Sequence, residues 1–151
     1  MNKKLLILFF FLLSCGYKPV YQNIDIINLK FADVILNGNK EINKKIVNSL
    51  SIEKNKKINN GSKLHIASSH KIETTSKNSQ GQAVSFRTYI NVNLKIEDLK
   101  NNTTKEKDFS KELAYNNKAN KFELVEYQNS IKTELVNQII GEIIIYLNTQ
   151  W

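Results

Sequence analysis

A chain of 151 residues, 41% of them hydrophobic, with a formal charge of +8 can build one ordinary domain around a modest core and cannot build several. The positive excess suits an anionic partner (lipid head groups, lipopolysaccharide phosphates or nucleic acid) or else reflects a composition rich in Lys and Asn throughout. Five glycines and one cysteine leave little material for a phosphate-cradling loop and none for an internal disulfide.

The chain opens MNKKLLILFFFLLSCGYKP. Lys3 and Lys4 form a positive n-region, Leu5 to Leu13 an apolar h-region, and small Ser14 precedes Cys15, which is the order of a secretory signal. Nine apolar residues span about 14 Å as a helix, roughly half of a hydrocarbon core, so the segment reads as a removable address and not a membrane span. Leu12 at minus three and Ser14 at minus one from Cys15 match a lipobox. Residues 1–14 are then a lipoprotein signal peptide, 15–22 an acylated tether and 23–151 a single domain. Cys15 becomes the first mature residue, carrying diacylglycerol and an N-acyl chain; the alternative is an ordinary signal peptide followed by an incidental free thiol. At about 0.8 kcal/mol per buried methylene, three chains hold the protein on a membrane with negligible release. Export removes nucleic acid as a partner, and loss of Lys3 and Lys4 lowers the charge from +8 to +6. Gly16 stands where Asp commonly signals inner-membrane retention, which directs the address to the outer membrane.

Beyond the tether, Asn23 to Phe31 alternates with apolar residues on both faces, as an interior or parallel strand does. Asn37-Gly38-Asn39 marks a turn. Ile42, Ile46 and Leu50, widened by Val47, then predict a helix from Lys40 to about Ser51 capped by Asn39. Glu53 to Ser62 has no apolar period and reads as a solvated connection. From Lys63 the period becomes two: Leu64, Ile66, Ser68, His70 and Ile72 face one way, with His65, Ala67, Ser69, Lys71 and Glu73 opposite. A polar hairpin tip is expected at Thr74 to Gln82. Val84 to Glu97 then forms the longest alternating strand, with Val84, Phe86, Thr88, Ile90, Val92, Leu94 and Ile96 on its core face. Asn101-Asn102 turns the chain into a return strand, Thr103 to Tyr115.

The last segment, Lys121 to Thr149, has helical spacing through Leu124, Ile131, Leu135, Ile139 and Ile143, with Asn120 as cap and Glu123 in capping-box position. The order strand, helix, three-stranded meander, helix predicts an α+β fold with two helices packed on one face of a four-stranded mixed sheet, its first pairing parallel. Catalysis is not expected. The two histidines stand five apart in one strand and point to opposite faces, no Ser-His spacing implies a triad, and Cys15 is consumed by lipid.

The opening Cys15-Gly16-Tyr17-Lys18-Pro19-Val20-Tyr21 resembles the Cys-Gly-aromatic-x-Pro-Leu-Tyr start of the lipopolysaccharide-assembly lipoproteins (LptE) of alphaproteobacterial type. The resemblance continues through the helix NKEINKKIVNSL, the long alternating strand and a terminal helix bearing Glu126 and an amphipathic run from Glu134 to Leu147. It implies an outer-membrane lipoprotein that plugs or assembles with a β-barrel lipopolysaccharide translocon, and in some members binds lipopolysaccharide itself. A free-standing periplasmic lipoprotein that binds an anionic envelope component without a barrel is the alternative. Tyr89, Asn91 and Asn93, on the polar face of the longest strand, are candidates for a barrel interface, against the simpler reading that this face meets water. Arg87, the only arginine, is a candidate lipid phosphate ligand with Lys71 and Lys95, because its planar fork holds phosphate through two hydrogen bonds. A cross-strand ion pair of Arg87 with Glu112 or Glu73 is the competing reading.

Overall fold

The computed structural model describes residues 30–55 and 61–150. The signal peptide, Cys15, the tether and most of the strand expected at Asn23 to Phe31 lie outside the described residues. The elements run β1 (Lys30–Phe31), β2 (Asp33–Gly38), α1 (Lys40–Ser49), β3 (Glu53–Lys54), β4 (Lys63–Lys77), β5 (Ala83–Asp98), β6 (Thr103–Asn116) and α2 (Lys121–Gln150). β2, β4, β5 and β6 form one sheet in that order. β2 pairs parallel to β4, and the β4–β5 and β5–β6 pairs are antiparallel. Both helices pack on one face, as the pattern of apolar residues requires.

The first sheet strand lies further along the chain than periodicity indicates. Asn37 and Gly38, which read as a turn, instead pair with Ala67 and Ser68 of β4, and the reversal into α1 is compressed onto Asn39. Gly38 makes this possible: its φ is +82°, and a Cβ there would lie 2.0 Å from the Ser68 carbonyl oxygen. Glu53–Lys54, expected as plain connection, forms a two-residue parallel bridge with Lys30–Phe31. That bridge is too short to leave a period in the sequence.

α1 starts where Asn39 accepts the Ile42 N–H at 3.1 Å, satisfying one of the orphan donors of the first turn. Its apolar stripe buries Ile42 and Ile46 completely. Asn43 is buried as well, at 2% exposure. Its amide donates to the Asn37 carbonyl at 2.7 Å and accepts the Ser68 hydroxyl at 2.6 Å. A buried amide left without partners would oppose folding, so this pair of bonds ties the helix to the β2–β4 junction.

The meander keeps the expected faces, but Ile72 and Val84, near the hairpin tip, are exposed and do not join the core. Leu64, Ile66, Ile90, Val92, Leu94, Ile96, Phe109 and Tyr115 form the sheet half of the core; Ile131, Leu135, Val136, Ile139, Ile140, Ile143 and Leu147 form the helix half. Thr88 is fully buried and donates to the Tyr115 hydroxyl at 3.2 Å. α2 is 30 residues long, about 45 Å, which matches strands of 14 to 16 residues at about 3.3 Å each. It runs back along β6: Tyr127 meets Tyr115 edge-on, and Tyr146 meets Phe109 the same way. Asn120 caps it by accepting the Phe122 N–H at 2.8 Å. β4 continues through register shifts near Ser76 to Lys77, so the hairpin tip is shorter than expected, spanning 78–82. Asn78 closes it, accepting the N–H groups of Gln80 and Gln82. Among the described residues no helix is long and apolar enough to cross a membrane.

Candidate functional site: the outer sheet face

Among the described residues, the sheet has one face under the helices and one without a layer. Because side chains alternate, odd positions of β4 and β5 and even positions of β6 share the uncovered face. The pairing register sets them in transverse rows: Lys63, Glu97, Thr104; His65, Lys95, Glu106; Ala67, Asn93, Asp108; Ser69, Asn91, Ser110; Lys71, Tyr89, Glu112; and Glu73, Arg87, Ala114. Four cations, Lys63, Lys71, Arg87 and Lys95, stand among five carboxylates, Glu73, Glu97, Glu106, Asp108 and Glu112. A chain that is strongly basic overall therefore presents a slightly acidic face here.

Three of the four cations are matched individually. Arg87 lies 3.2 Å from Glu112 across β5–β6, the cross-strand pairing that competed with phosphate contact. Lys71 pairs with Glu73 at 2.5 Å and Lys95 with Glu97 at 2.7 Å. Hydrogen bonding from Lys71 holds the Glu73 carboxyl below its usual range, and Lys71 is raised in return. The Lys95–Glu97 pair behaves alike. Lys71 sits diagonally across from Arg87, but Lys95 stands eight residues along β5, about 27 Å away at the rise of a strand. The three candidate phosphate ligands do not converge on one point.

Between the charged rows the surface sinks. Ala67, Ser69 and Ser110 are short, and with Asn91, Asn93 and Asp108 they line an open trough of about 410 Å³. Its polar groups are mutually ordered. Ser110 donates to Asn91 Oδ1 at 2.8 Å, and the Asn91 amide reaches Ser69 Oγ at 3.4 Å. The Asn93 amide donates to Glu106 at 2.7 Å and Asp108 at 2.8 Å. Tyr89, half-buried, flanks the trough in the next row. Of the residues the strand pattern singled out, Tyr89, Asn91 and Asn93 thus share one surface feature. Ser69, Glu106, Asp108 and Ser110 complete it, and no sequence motif marks them: only the cross-strand register brings them together.

The histidines separate as their spacing requires. His65 is on the outer face, 3.4 Å from Glu97. His70 is on the helix side, near the 2.8 Å pair that Lys132 of α2 makes with Glu41 of α1. Burial, aided by the Lys132 charge, pushes the His70 pKa down. Among the described residues no three His, Cys, Asp or Glu side chains gather as a metal site would require.

No family model matches the chain, and no curated protein sequence does. Solved structures share its fold. Rare lipoprotein B from Shewanella oneidensis superposes with a TM-score of 0.60 at 11% identity, covering 78% of this chain and 94% of that one. A putative lipoprotein from Caulobacter crescentus covers 77% and 88% at a TM-score of 0.50 and 11% identity. Lipoprotein B from Nitrosomonas europaea covers 77% and 81% at 0.50 and 15%. The α+β architecture is one that bacterial lipoproteins use.

Proposed function

We propose that the protein is a lipid-anchored, non-catalytic binding module on the periplasmic face of the outer membrane, engaging an anionic envelope component of which lipopolysaccharide is the leading case. The observation that carries this reading is a lipobox at Cys15 on a domain whose fold covers 94% of a bacterial lipoprotein. At Arg87, a lipid phosphate has to replace Glu112 as the guanidinium's partner. That exchange costs little, because an exposed pair of this kind contributes below about 1 kcal/mol. The gain is the bidentate geometry that Arg offers a phosphate.

A second reading makes the chain the partner of a β-barrel lipopolysaccharide translocon. Its support is the LptE resemblance together with the uncovered row of Tyr89, Asn91 and Asn93, a polar and aromatic strip of the sort that interfaces use. Extraction of outer membranes in mild detergent separates the two. A monodisperse lipoprotein carrying lipopolysaccharide supports the first reading, and a stoichiometric β-barrel crosslinked through Tyr89 or Asn91 supports the second. Recovery of the protein with neither overturns both.

A further inference from the structure

We infer that the trough on the outer sheet face, lined by Ala67, Ser69, Asn91, Asn93, Asp108 and Ser110, is a binding site for an uncharged saccharide chain. The inference goes beyond the anion reading and is independent of it, because none of the lining residues is a cation. The trough crosses the strands between two taller rows, Lys71, Tyr89 and Glu112 on one side and His65, Lys95 and Glu106 on the other. Three strands at about 4.8 Å spacing and two short rows about 7 Å apart make a slot for a linear chain lying across the sheet. Its volume falls in the range of small-molecule sites, roughly 300–1,000 Å³.

The chemistry matches sugar on both counts. A pyranose edge carries hydroxyls that donate and accept, and its faces carry C–H groups. The trough offers two amides, two hydroxyls and a carboxylate. The internal bonds leave capacity: Ser69 Oγ accepts from Asn91 and keeps its own O–H to donate, and the Asn91 amide spends one of its two N–H groups. Those same bonds hold the side chains in place before a ligand arrives, which lowers the ordering cost of binding. The Ala67 methyl and the Tyr89 ring supply apolar surface for sugar faces. No cation lines the slot and Asp108 is its one charged group, which disfavours phosphate and carboxylate inside it, so the selected chain is uncharged.

The test uses the full lipidated protein in sugar-free amine-oxide micelles. Tetramers of glucose and of N-acetylglucosamine are titrated by saturation-transfer NMR. At least one tetramer is expected to bind saturably, with an affinity unmoved by an about tenfold rise in salt. Ser110→Tyr, which fills the slot, is expected to weaken binding about tenfold or more, and Tyr89→Ala several-fold, with unchanged melting temperatures. Preference for the N-acetylglucosamine tetramer indicates an amino-sugar wall glycan as the source, and preference for glucose the outer sugars of a lipopolysaccharide. If Ser110→Tyr fails to fold, Tyr89→Ala and Ser69→Ala decide. Absence of saturable binding by both tetramers overturns the site, as does binding that the folded variants leave intact.

Discussion

Replacing Gly38 with alanine tests the joint between β2 and α1, and the structure supplies two separable costs. The first is conformational: at φ +82° an L-residue pays about 1–2 kcal/mol. The second is steric. The added Cβ would meet the Ser68 carbonyl oxygen at 2.0 Å, a backbone atom held in the parallel ladder, so β2 has to move off β4. That displacement also strains the bond from Asn43 to the Asn37 carbonyl, and a weakened buried hydrogen bond adds about 1–3 kcal/mol. The expected loss is about 2–5 kcal/mol, a large share of a domain stability of roughly 5–15 kcal/mol. Gly81→Ala is the control. Its φ is nearly the same, +79°, but a Cβ there meets nothing within 4 Å, so only the conformational cost applies. Urea unfolding of both variants measures the difference directly from the shift in midpoint at constant slope. Equal losses at the two glycines would refute the steric part of the reasoning.

Further outcomes follow from the same contacts. Ser68→Ala removes the donor to Asn43 Oδ1 and should cost about 1–3 kcal/mol in urea unfolding, since the amide stays buried; a loss within experimental error would show that the network is dispensable. Because burial lowers the His70 pKa, the unfolded chain binds that proton more readily, so stability should fall as pH drops through the ordinary histidine range and below. His70→Phe should flatten that slope between about pH 7 and 5, and an unaltered slope would assign it elsewhere. Arg87→Lys keeps the charge and removes the fork, and is expected to lower lipopolysaccharide binding several-fold at fixed ionic strength. Glu112→Gln, which frees the guanidinium, should raise it; unchanged binding in both variants discards Arg87 as a phosphate ligand.

The long elements are legible in the sequence because each repeats its signal many times. Val84 to Ile96 alternates for more than a dozen residues, and Ile131, Leu135, Ile139 and Ile143 hold a helical stripe, so burial follows the pattern from Thr88 to Ile96 and along the helix, while Val84 at the strand's start is exposed. β2 is not legible for a physical reason: Asp33–Gly38 pairs on one edge only, and its Asn37-Gly38 end carries turn residues in ladder positions. Asn43 falls inside the apolar stripe of its helix, between Leu50 and Val47 around the circumference, so the period implies its burial; what the sequence does not show is that Asn37 and Ser68, 6 and 25 residues away, supply its partners. The outer trough belongs to the same class. Ser69, Asn91 and Ser110 are unremarkable apart, and their row exists only once two hairpins have set the register.

The proposed anchor at Cys15 would set where all of these surfaces act. Intact mass spectrometry of the mature protein, extracted from membranes, measures it at one residue. A chain that begins at Cys15 and carries the added mass of diacylglycerol and an N-acyl group is the predicted result. An unmodified Cys15 thiol, or an N-terminus at any other residue, would contradict the lipoprotein assignment.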